Sequence, residues 1–187
     1  MIEVQNVSKG FGREVLKNIS FSAGEGEVVF ITGESGIGKT TLLHILMGLI
    51  KSDSGKVSGV SEKQACVFQE NRLLERLTVL NNLKLVSDMP DDDLKKECRE
   101  ILPEEVVYQQ VTKLSGGMKR RVAILRAMIA DADIIFMDEP FTGMDEVTKA
   151  RVIAYIQRKK EDKTLIIVTH NKEEIDMFDA NQHIHIG

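Results

Sequence analysis

The sequence has 187 residues, of which 42% are hydrophobic and 29% are charged, and its formal net charge at pH 7 is −4. This length predicts one globular domain that buries about 70% of the surface of its unfolded chain, and the acidic balance gives no support to nucleic-acid binding. The longest apolar runs, at residues 134–137 and 165–168, have strand length and are far too short to span a membrane. The amino terminus lacks the basic and apolar regions of a signal peptide. Because the two cysteines have no CxxC spacing, we expect a cytosolic protein with reduced thiols and no membrane insertion.

The amino-terminal segment predicts an antiparallel hairpin. Apolar side chains alternate with polar ones in two short runs, which are separated by Gly10-Phe11-Gly12. Phe11 lies about 22 residues before a glycine-rich loop, on a turn between two glycines. From spacing alone, it is equally consistent with an aromatic that stacks on a base and with a side chain that packs its own loop.

Residues 33–40, GESGIGKT, match the phosphate-binding loop pattern G-x-x-x-x-G-K-[ST] at every fixed position. Residues 28–31 predict a buried strand before the loop, and Leu42, Leu43, Ile45, Leu46 and Leu49 recur after it at helical spacing. In that arrangement backbone N–H groups and a helix N-terminus surround a polyphosphate. Lys39 can then reach the β- and γ-phosphates, and the Thr40 hydroxyl can ligate Mg²⁺. The chain is predicted to bind a nucleoside triphosphate.

The amino-acid composition of the chain changes after about residue 72. Residues 52–55 predict a turn, and residues 64–68 predict a strand that ends at Gln69. From about 72 to 113 the sequence is richer in Leu, Lys, Glu and Asp and has helical spacing. We interpret this as a helical insertion within one domain. Its core is expected at about 1–71 and 129–187, and its helical subdomain at about 72–128.

The next motif, LSGGM at residues 114–118, predicts a helix that Ser115 caps. Two glycines inside a helix cost roughly 1 kcal/mol each relative to alanine, which favours a functional reason such as close approach of a ligand to the backbone. Residues 134–140, IIFMDEP, predict an apolar strand that ends in Asp138 and Glu139. Ligand chemistry in α/β sheets is found at this end of a strand.

Further along the chain, residues 142–145 turn into another helix, and residues 165–169 predict a buried strand that His170 follows directly. A last strand is predicted at about 182–186. His183 and His185 share one face of it, and the lack of a third ligand favours solvent-facing side chains over a metal site.

Together these motifs resemble the ATP-binding subunits of ABC (ATP-binding cassette) transporters over nearly the whole chain. GESGIGKT, Gln69, LSGGM, IIFMDEP, GMD with Asp145, and His170 occur in the order of that family. The resemblance implies an α/β fold of the P-loop NTPase (RecA-like) type, with a parallel-sheet core. An N-terminal antiparallel β subdomain and an inserted helical subdomain would complete it. It also implies an ATPase that uses ATP and Mg²⁺.

The resemblance also implies a role for each motif. ATP would be bound by Phe11, through adenine stacking, and by the loop residues Gly33, Glu34, Ser35, Gly36, Ile37, Gly38, Lys39, Thr40 and Thr41. Mg²⁺ would be held by Thr40, Gln69 and Asp138. Glu139 would act as general base or orient the attacking water. Gln69 would sense the metal and the water, and His170 would reach the γ-phosphate.

By the same resemblance, Ser115, Gly116 and Gly117 would contact the γ-phosphate of ATP bound to another subunit, and Asp145 would shape the seam between subunits. The implied active unit is a head-to-tail dimer with two ATP at its interface, formed by two copies of this chain or by this chain and a similar ATPase subunit. Polytopic membrane permease subunits would be its other partners, and no nucleic acid is expected. The chain would be cytoplasmic and peripheral to the inner face of the cell membrane.

The direction of transport depends on finer features. Residues 68–74 and 77–82 resemble importer subunits of the nitrate, sulfonate and taurine group, which favours import over export, although Glu75-Arg76 replaces the Pro-Trp usual in that group. One alternative is a soluble ABC ATPase that acts in repair or cluster assembly. A GTPase is another, since residues 171–174, NKEE, partly match a guanine-reading motif. The transported substrate would be recognised by other subunits.

Overall fold

The computed structural model describes residues 1–178 and 180–187. These residues contain eight strands: β1 (Ile2–Gly10), β2 (Glu14–Ala23), β3 (Val28–Thr32), β4 (Ser54–Ser58), β5 (Gln64–Val67), β6 (Ile134–Asp138), β7 (Thr164–Val168) and β8 (Gln182–His185). They also contain six α-helices: α1 (Lys39–Leu46), α2 (Val79–Leu83), α3 (Asp91–Ile101), α4 (Gly116–Ile129), α5 (Glu146–Lys159) and α6 (Lys172–Asp176). Two 3₁₀ turns lie at Glu104–Val106 and Val111–Lys113. None of the helices in the described part of the chain has the length and apolar character needed to cross a membrane.

A five-stranded parallel sheet forms the centre of the molecule, in the order β5-β6-β7-β3-β8. Every residue of β3, β6 and β7 is buried. Their continuous apolar runs are typical of parallel strands that are covered on both faces, and this explains why the sequence predicts them clearly. The carboxyl ends of these strands meet at one edge of the sheet, and the phosphate-loop motif and the Asp138-Glu139 pair are found there.

A smaller antiparallel sheet has the order β2-β1-β4, so the expected hairpin of β1 and β2 is present. Strand β4 was not expected, because Ser54 and Gly55 were assigned to a turn. The polar run SGKVS lacks the apolar alternation of a strand, and its pairing with β1 supplies the hydrogen bonds instead. Gly55 has φ of +81°, and a Cβ there would lie 2.3 Å from the carbonyl oxygen of Asn6.

Helix α1 ends before Leu49, which is exposed although its spacing predicted a helical position.

The central sheet separates two apolar clusters. In β3, Val28 and Phe30 pack on the side of α2 to α5, whereas Val29 and Ile31 pack against α1 and the antiparallel sheet. Buried side chains of α3 and α4 belong to the same cluster as Val28 and Phe30. We therefore propose that residues of about 72–128 are a helical subdomain that shares its core with the rest of the chain.

Candidate functional site

The loop between β3 and α1 is held in shape by its own lysine. Lys39 Nζ donates hydrogen bonds to the carbonyl oxygens of Gly33 and Glu34, both at 2.8 Å, and its side chain is buried. Gly33 has φ of +152°, and a Cβ on it would lie 2.2 Å from the carbonyl oxygen of Ile186. A Cβ on Gly38 would lie 2.7 Å from Val15 Cγ1. The loop is therefore formed in advance around a Lys39 ammonium group that can exchange carbonyl partners for phosphate oxygens.

A cavity of about 370 Å³ opens beside this loop. It is lined by residues of four separate segments: Phe11, Val15, Ser35, Gly36, Gly38, Lys39, Thr40, Thr41, Gln69, Asp138 and Glu139. Most of the residues predicted to bind ATP are therefore together. Gly33 and Glu34 instead accept hydrogen bonds from Lys39 Nζ through their carbonyl oxygens. Ile37 packs into the apolar cluster that contains α1. Val15 was not predicted, although its place in the alternating pattern of β2, four residues after Phe11, could have indicated it.

A larger cavity, of about 620 Å³, lies at the opposite edge of the central sheet. Its lining includes Ala23, Ile134 and Thr164, which lie at or near the ends of strands away from the phosphate loop. The predicted loop, carboxylate and signature motifs all lie elsewhere. The smaller cavity is the candidate site because the convergent polar groups and the carboxyl ends of the strands meet there.

The cavity contains a set of oxygen ligands suited to Mg²⁺. Thr40 Oγ1 donates a hydrogen bond to Asp138 Oδ2 at 2.7 Å, across 98 residues of chain, and Asp138 is only 3% exposed. Gln69 faces the same cavity from the segment after β5. Mg²⁺ prefers hard oxygen ligands and usually combines one or two protein ligands with substrate phosphates and water. These three residues fit that ion.

Glu139 contacts His170, a contact that the sequence did not predict. His170 Nδ1 lies 2.8 Å from Glu139 Oε1. Glu139 has φ of +49°, in the left-handed region that non-glycine residues seldom adopt. Its N–H donates to the carbonyl oxygen of Val168 at 2.9 Å, so the pairing of β6 with β7 extends one residue beyond the strand. The carboxylate is thereby placed at the edge of the cavity with an imidazole beside it.

The segment that carries His170 is fixed by a buried polar cluster. Thr169 Oγ1 donates to Glu174 Oε2 at 2.6 Å and accepts from the N–H of Asn171 at 3.0 Å. Lys149 Nζ of α5 lies 3.8 Å from Glu174 Oε1. Burial raises the pKa of Glu174, and the Thr169 hydrogen bond and the Lys149 charge oppose that rise. The cluster ties the His170 segment to α5, the helix that Asp145 opens.

The LSGGM motif lies at the start of α4, as predicted. Ser115 Oγ accepts a hydrogen bond from the N–H of Met118 at 3.2 Å, and a Cβ on Gly117 would lie 3.5 Å from the carbonyl oxygen of Gly143. Asp145 caps α5, and its hydrogen bonds from Thr148 lower its pKa. Within the described part of the chain, the residues that line the cavity do not include residues 115–117. The motif and the cavity are separate surfaces of one chain.

The comparisons with known proteins identify the family. The model of the family described as "ABC transporter" matches residues 16–142, which is more than half of the chain. The chain belongs to the ABC transporter family. An aliphatic sulfonates import ATP-binding protein, SsuB of Bacillus cereus, is 36% identical, with 92% of this chain and 76% of that protein covered. A taurine import ATP-binding protein, TauB of Pelagibacter ubique, is 35% identical, with 89% of this chain and 69% of that protein covered.

A solved ABC structure has the same fold. The dimeric post-hydrolysis state of the ATP-binding cassette MJ0796, bound to ADP and Pi, matches with a TM-score of 0.85 and 27% identity, over 100% of this chain and 94% of that one. The α/β P-loop NTPase fold expected from the sequence is confirmed, and so is the assignment to the ATP-binding, Mg²⁺-dependent ATPases of the ABC class.

In this ABC ATPase the position of Phe11 favours base stacking over loop packing. Phe11 is 60% exposed and lines the cavity, and Lys9 Nζ lies 5.3 Å from the centroid of its ring. Asp53 holds the turn that carries the ring: Oδ1 accepts from Lys9 Nζ at 2.5 Å and Oδ2 from the Gly10 N–H at 2.8 Å. The turn is thus fixed without help from the Phe11 side chain.

Replacement of Phe11 by Ala is expected to weaken ATP binding by roughly tenfold, because base–aromatic stacking is worth about 1–3 kcal/mol. Binding of inorganic triphosphate should change little, since it has no base. Isothermal titration calorimetry with both ligands tests this, with Phe11→Tyr as the matched variant that keeps a ring. Equal losses for ATP and triphosphate would assign Phe11 to loop packing.

Proposed function

We propose that this chain is the ATP-hydrolysing subunit of an ABC importer and that it acts as a head-to-tail dimer closing on two ATP molecules. The observation that carries the proposal is the separation of the two halves of the site. The cavity brings together Lys39, the Thr40–Asp138 pair, Gln69 and Glu139, whereas the LSGGM motif lies outside it. Ser115, Gly116 and Gly117 are therefore available to a nucleotide held by another subunit, and Asp145 lies beside them at the start of α5.

The residues of the cavity have separate proposed roles in ATP hydrolysis. Lys39 and the loop N–H groups bind the β- and γ-phosphates, and the helix N-terminus of α1 adds a favourable dipole. Thr40, Gln69 and Asp138 would hold Mg²⁺, which would supply positive charge to neutralise the phosphates. Glu139 accepts the proton of the attacking water or orients that water. His170, whose Nδ1 lies 2.8 Å from Glu139 Oε1, would reach the γ-phosphate.

The relatives support import as the direction of transport. Both curated relatives described above are import ATP-binding proteins, one for aliphatic sulfonates and one for taurine. The chain would bind polytopic permease subunits and lie peripherally at the cytoplasmic face of the membrane. The substrate would be recognised by those other subunits.

The helical subdomain is the proposed contact with the permease. Leu74, Leu85 and Tyr108 are large apolar side chains of this subdomain that are more than half exposed. Leu74 follows the Gln69 segment directly, and its N–H is held by Asn82 Oδ1 at 2.9 Å. A partner bound at Leu74 would therefore act close to a residue of the nucleotide site. Arg72 and Glu75 are less suitable for testing because Arg72 stacks on Phe68 and Glu75 pairs with Lys119.

Replacement of Leu74 by Asp is expected to leave basal ATPase activity unchanged and to abolish co-purification with a polytopic permease and the ATPase stimulation that the permease causes. A charge in a desolvated contact is unfavourable unless it is paired. Leu49→Asp, at an equally exposed leucine outside the helical subdomain, is the control. Parallel loss of basal and stimulated activity would contradict the coupling role. A chain that hydrolyses ATP fully but binds no permease would favour the non-transport ATPase.

A further inference from the structure

Arg120, in the second turn of α4, has a buried guanidinium group whose hydrogen bonds go mainly to backbone carbonyl oxygens rather than to carboxylates. The residue is 4% exposed. All three guanidinium nitrogens act as donors, which satisfies the requirement that a buried cation be fully hydrogen-bonded. Burial lowers the pKa of Arg120, and the nearby charges of Asp138 and Glu139 oppose that effect.

The acceptors belong to the two loops that carry Glu139 and Gln69. On one side, the carbonyl oxygens of Asp138, Glu139 and Pro140 accept from Nη2 and Nε, with the Glu139 bond at 2.6 Å and the Pro140 bond at 3.2 Å. On the other side, Nη1 donates to the carbonyl oxygens of Phe68 and Gln69, the latter at 3.2 Å, and to Asn71 Oδ1 at 3.4 Å. One side chain therefore connects three segments that are distant in sequence.

These contacts act on a strained backbone. Glu139 has φ of +49°, and such a conformation persists only where its surroundings determine it. The carbonyl groups on both sides of the Glu139 Cα accept from the same Arg120 nitrogen, so the guanidinium fixes the peptide units that flank the residue. Loss of these bonds would allow Glu139 to relax and its carboxylate to move within the cavity.

We propose that Arg120 is a positioning residue that sets the backbones of Glu139 and Gln69 and links both to the signature helix. The helix that presents Ser115 and Gly117 to a partner's ATP is then joined by Arg120 to the hydrolytic groups of its own chain. Closure of the signature helix on the nucleotide of one site would move the hydrolytic groups of the other. This inference rests on the proposed roles of Glu139, Gln69 and the signature motif.

Arg120→Met and Arg120→Lys, each assayed for kcat, for the KM of Mg-ATP and for thermal unfolding, test this role. Arg120→Met is expected to lower kcat by about 10²-fold, the effect of a misplacement of about 1 Å, while KM changes by less than about threefold. Arg120→Lys keeps the charge but has fewer donors in a different geometry, so its kcat is expected between those of Arg120→Met and the wild type. The matched control is Arg151→Met: Arg151 also donates to two carbonyl oxygens, those of Arg99 and Glu100, but away from the cavity.

A folded Arg120→Met or Arg120→Lys protein with wild-type kcat would overturn the inference, and if the Met variant does not fold, the Lys variant decides. Loss of folding in both variants, or a kcat loss no larger than that of Arg151→Met, would leave Arg120 a role in stability alone and also contradict the inference. Glu139→Gln, measured in parallel, separates the two proposals. Normal hydrolysis by Glu139→Gln would remove the proposed role of Glu139. Normal hydrolysis by the Arg120 variants, with Glu139→Gln inactive, would remove only the positioning role.

Discussion

Replacement of Glu139 by Gln is expected to lower ATP turnover by about 10²–10⁴-fold, the usual contribution of a general base, while Mg-ATP still binds. Glutamine keeps the size of the side chain and can still hydrogen-bond to His170, but it cannot accept a proton at neutral pH. This carboxylate lines the cavity together with Lys39 and Thr40, and its Oε1 lies 2.8 Å from His170 Nδ1. Single-turnover phosphate release and equilibrium binding of ATP, measured on the same protein, test the expectation.

The same variant tests the shared site, because ATP that is not hydrolysed should hold two chains together. Light scattering should show the Glu139→Gln protein as a monomer without nucleotide and as a dimer with Mg-ATP. Addition of Ser115→Arg should abolish the dimer by steric intrusion at the start of α4, without preventing ATP from binding at Lys39. Hydrolysis at the wild-type rate would remove Glu139 as the base. Trapped ATP on a protein that stays monomeric at high concentration, with permease present, would contradict the head-to-tail dimer.

Replacement of Lys39 by Ala is expected to weaken Mg-ATP binding by roughly 10- to 150-fold, because a charge-assisted hydrogen bond contributes about 1.5–3 kcal/mol. The structure adds a second cause. Lys39 holds the carbonyl groups of Gly33 and Glu34, so the alanine variant also loses the tie that shapes the loop.

The control for Lys39→Ala is Lys160→Ala, since Lys160 Nζ donates at 2.8 Å to the carbonyl oxygen of Gly26, outside the cavity. Calorimetry with Mg-ATP should show the wild-type affinity for Lys160→Ala and a large loss for Lys39→Ala. An affinity of Lys39→Ala close to the wild-type value would remove Lys39 from phosphate binding.

The sequence predicted the elements whose residues carry a strong local pattern. Strands β3, β6 and β7 are continuous apolar runs, and the start of α4 carries a serine cap. Strand β4 was missed because its exposed polar residues owe their conformation to pairing with β1 rather than to their own preference. Propensity says little about such an edge strand.

In the candidate site, too, the features that depend on local sequence were predictable and those that depend on packing of distant segments were not. Contiguous motifs such as residues 33–40 are visible in the sequence, because their chemistry depends on neighbours in the chain. The contact of His170 with Glu139 and the burial of Arg120 depend on how distant segments pack. Arg120 follows Lys119 on a helix where an exposed basic pair is the ordinary expectation, so no local signal marks it as the centre of a hydrogen-bond network.

Because Glu139 has a left-handed backbone conformation, folding stability and ATP turnover favour different residues at position 139. A glycine or an asparagine adopts φ near +49° more readily than a glutamate does. Selection for heat resistance alone would therefore favour those residues, whereas selection for turnover would keep the carboxylate. Many proteins lose activity when a strained residue of their active site is replaced by a relaxed one. Consensus or stability-guided redesign of this chain should accordingly hold position 139 fixed and seek its gains elsewhere.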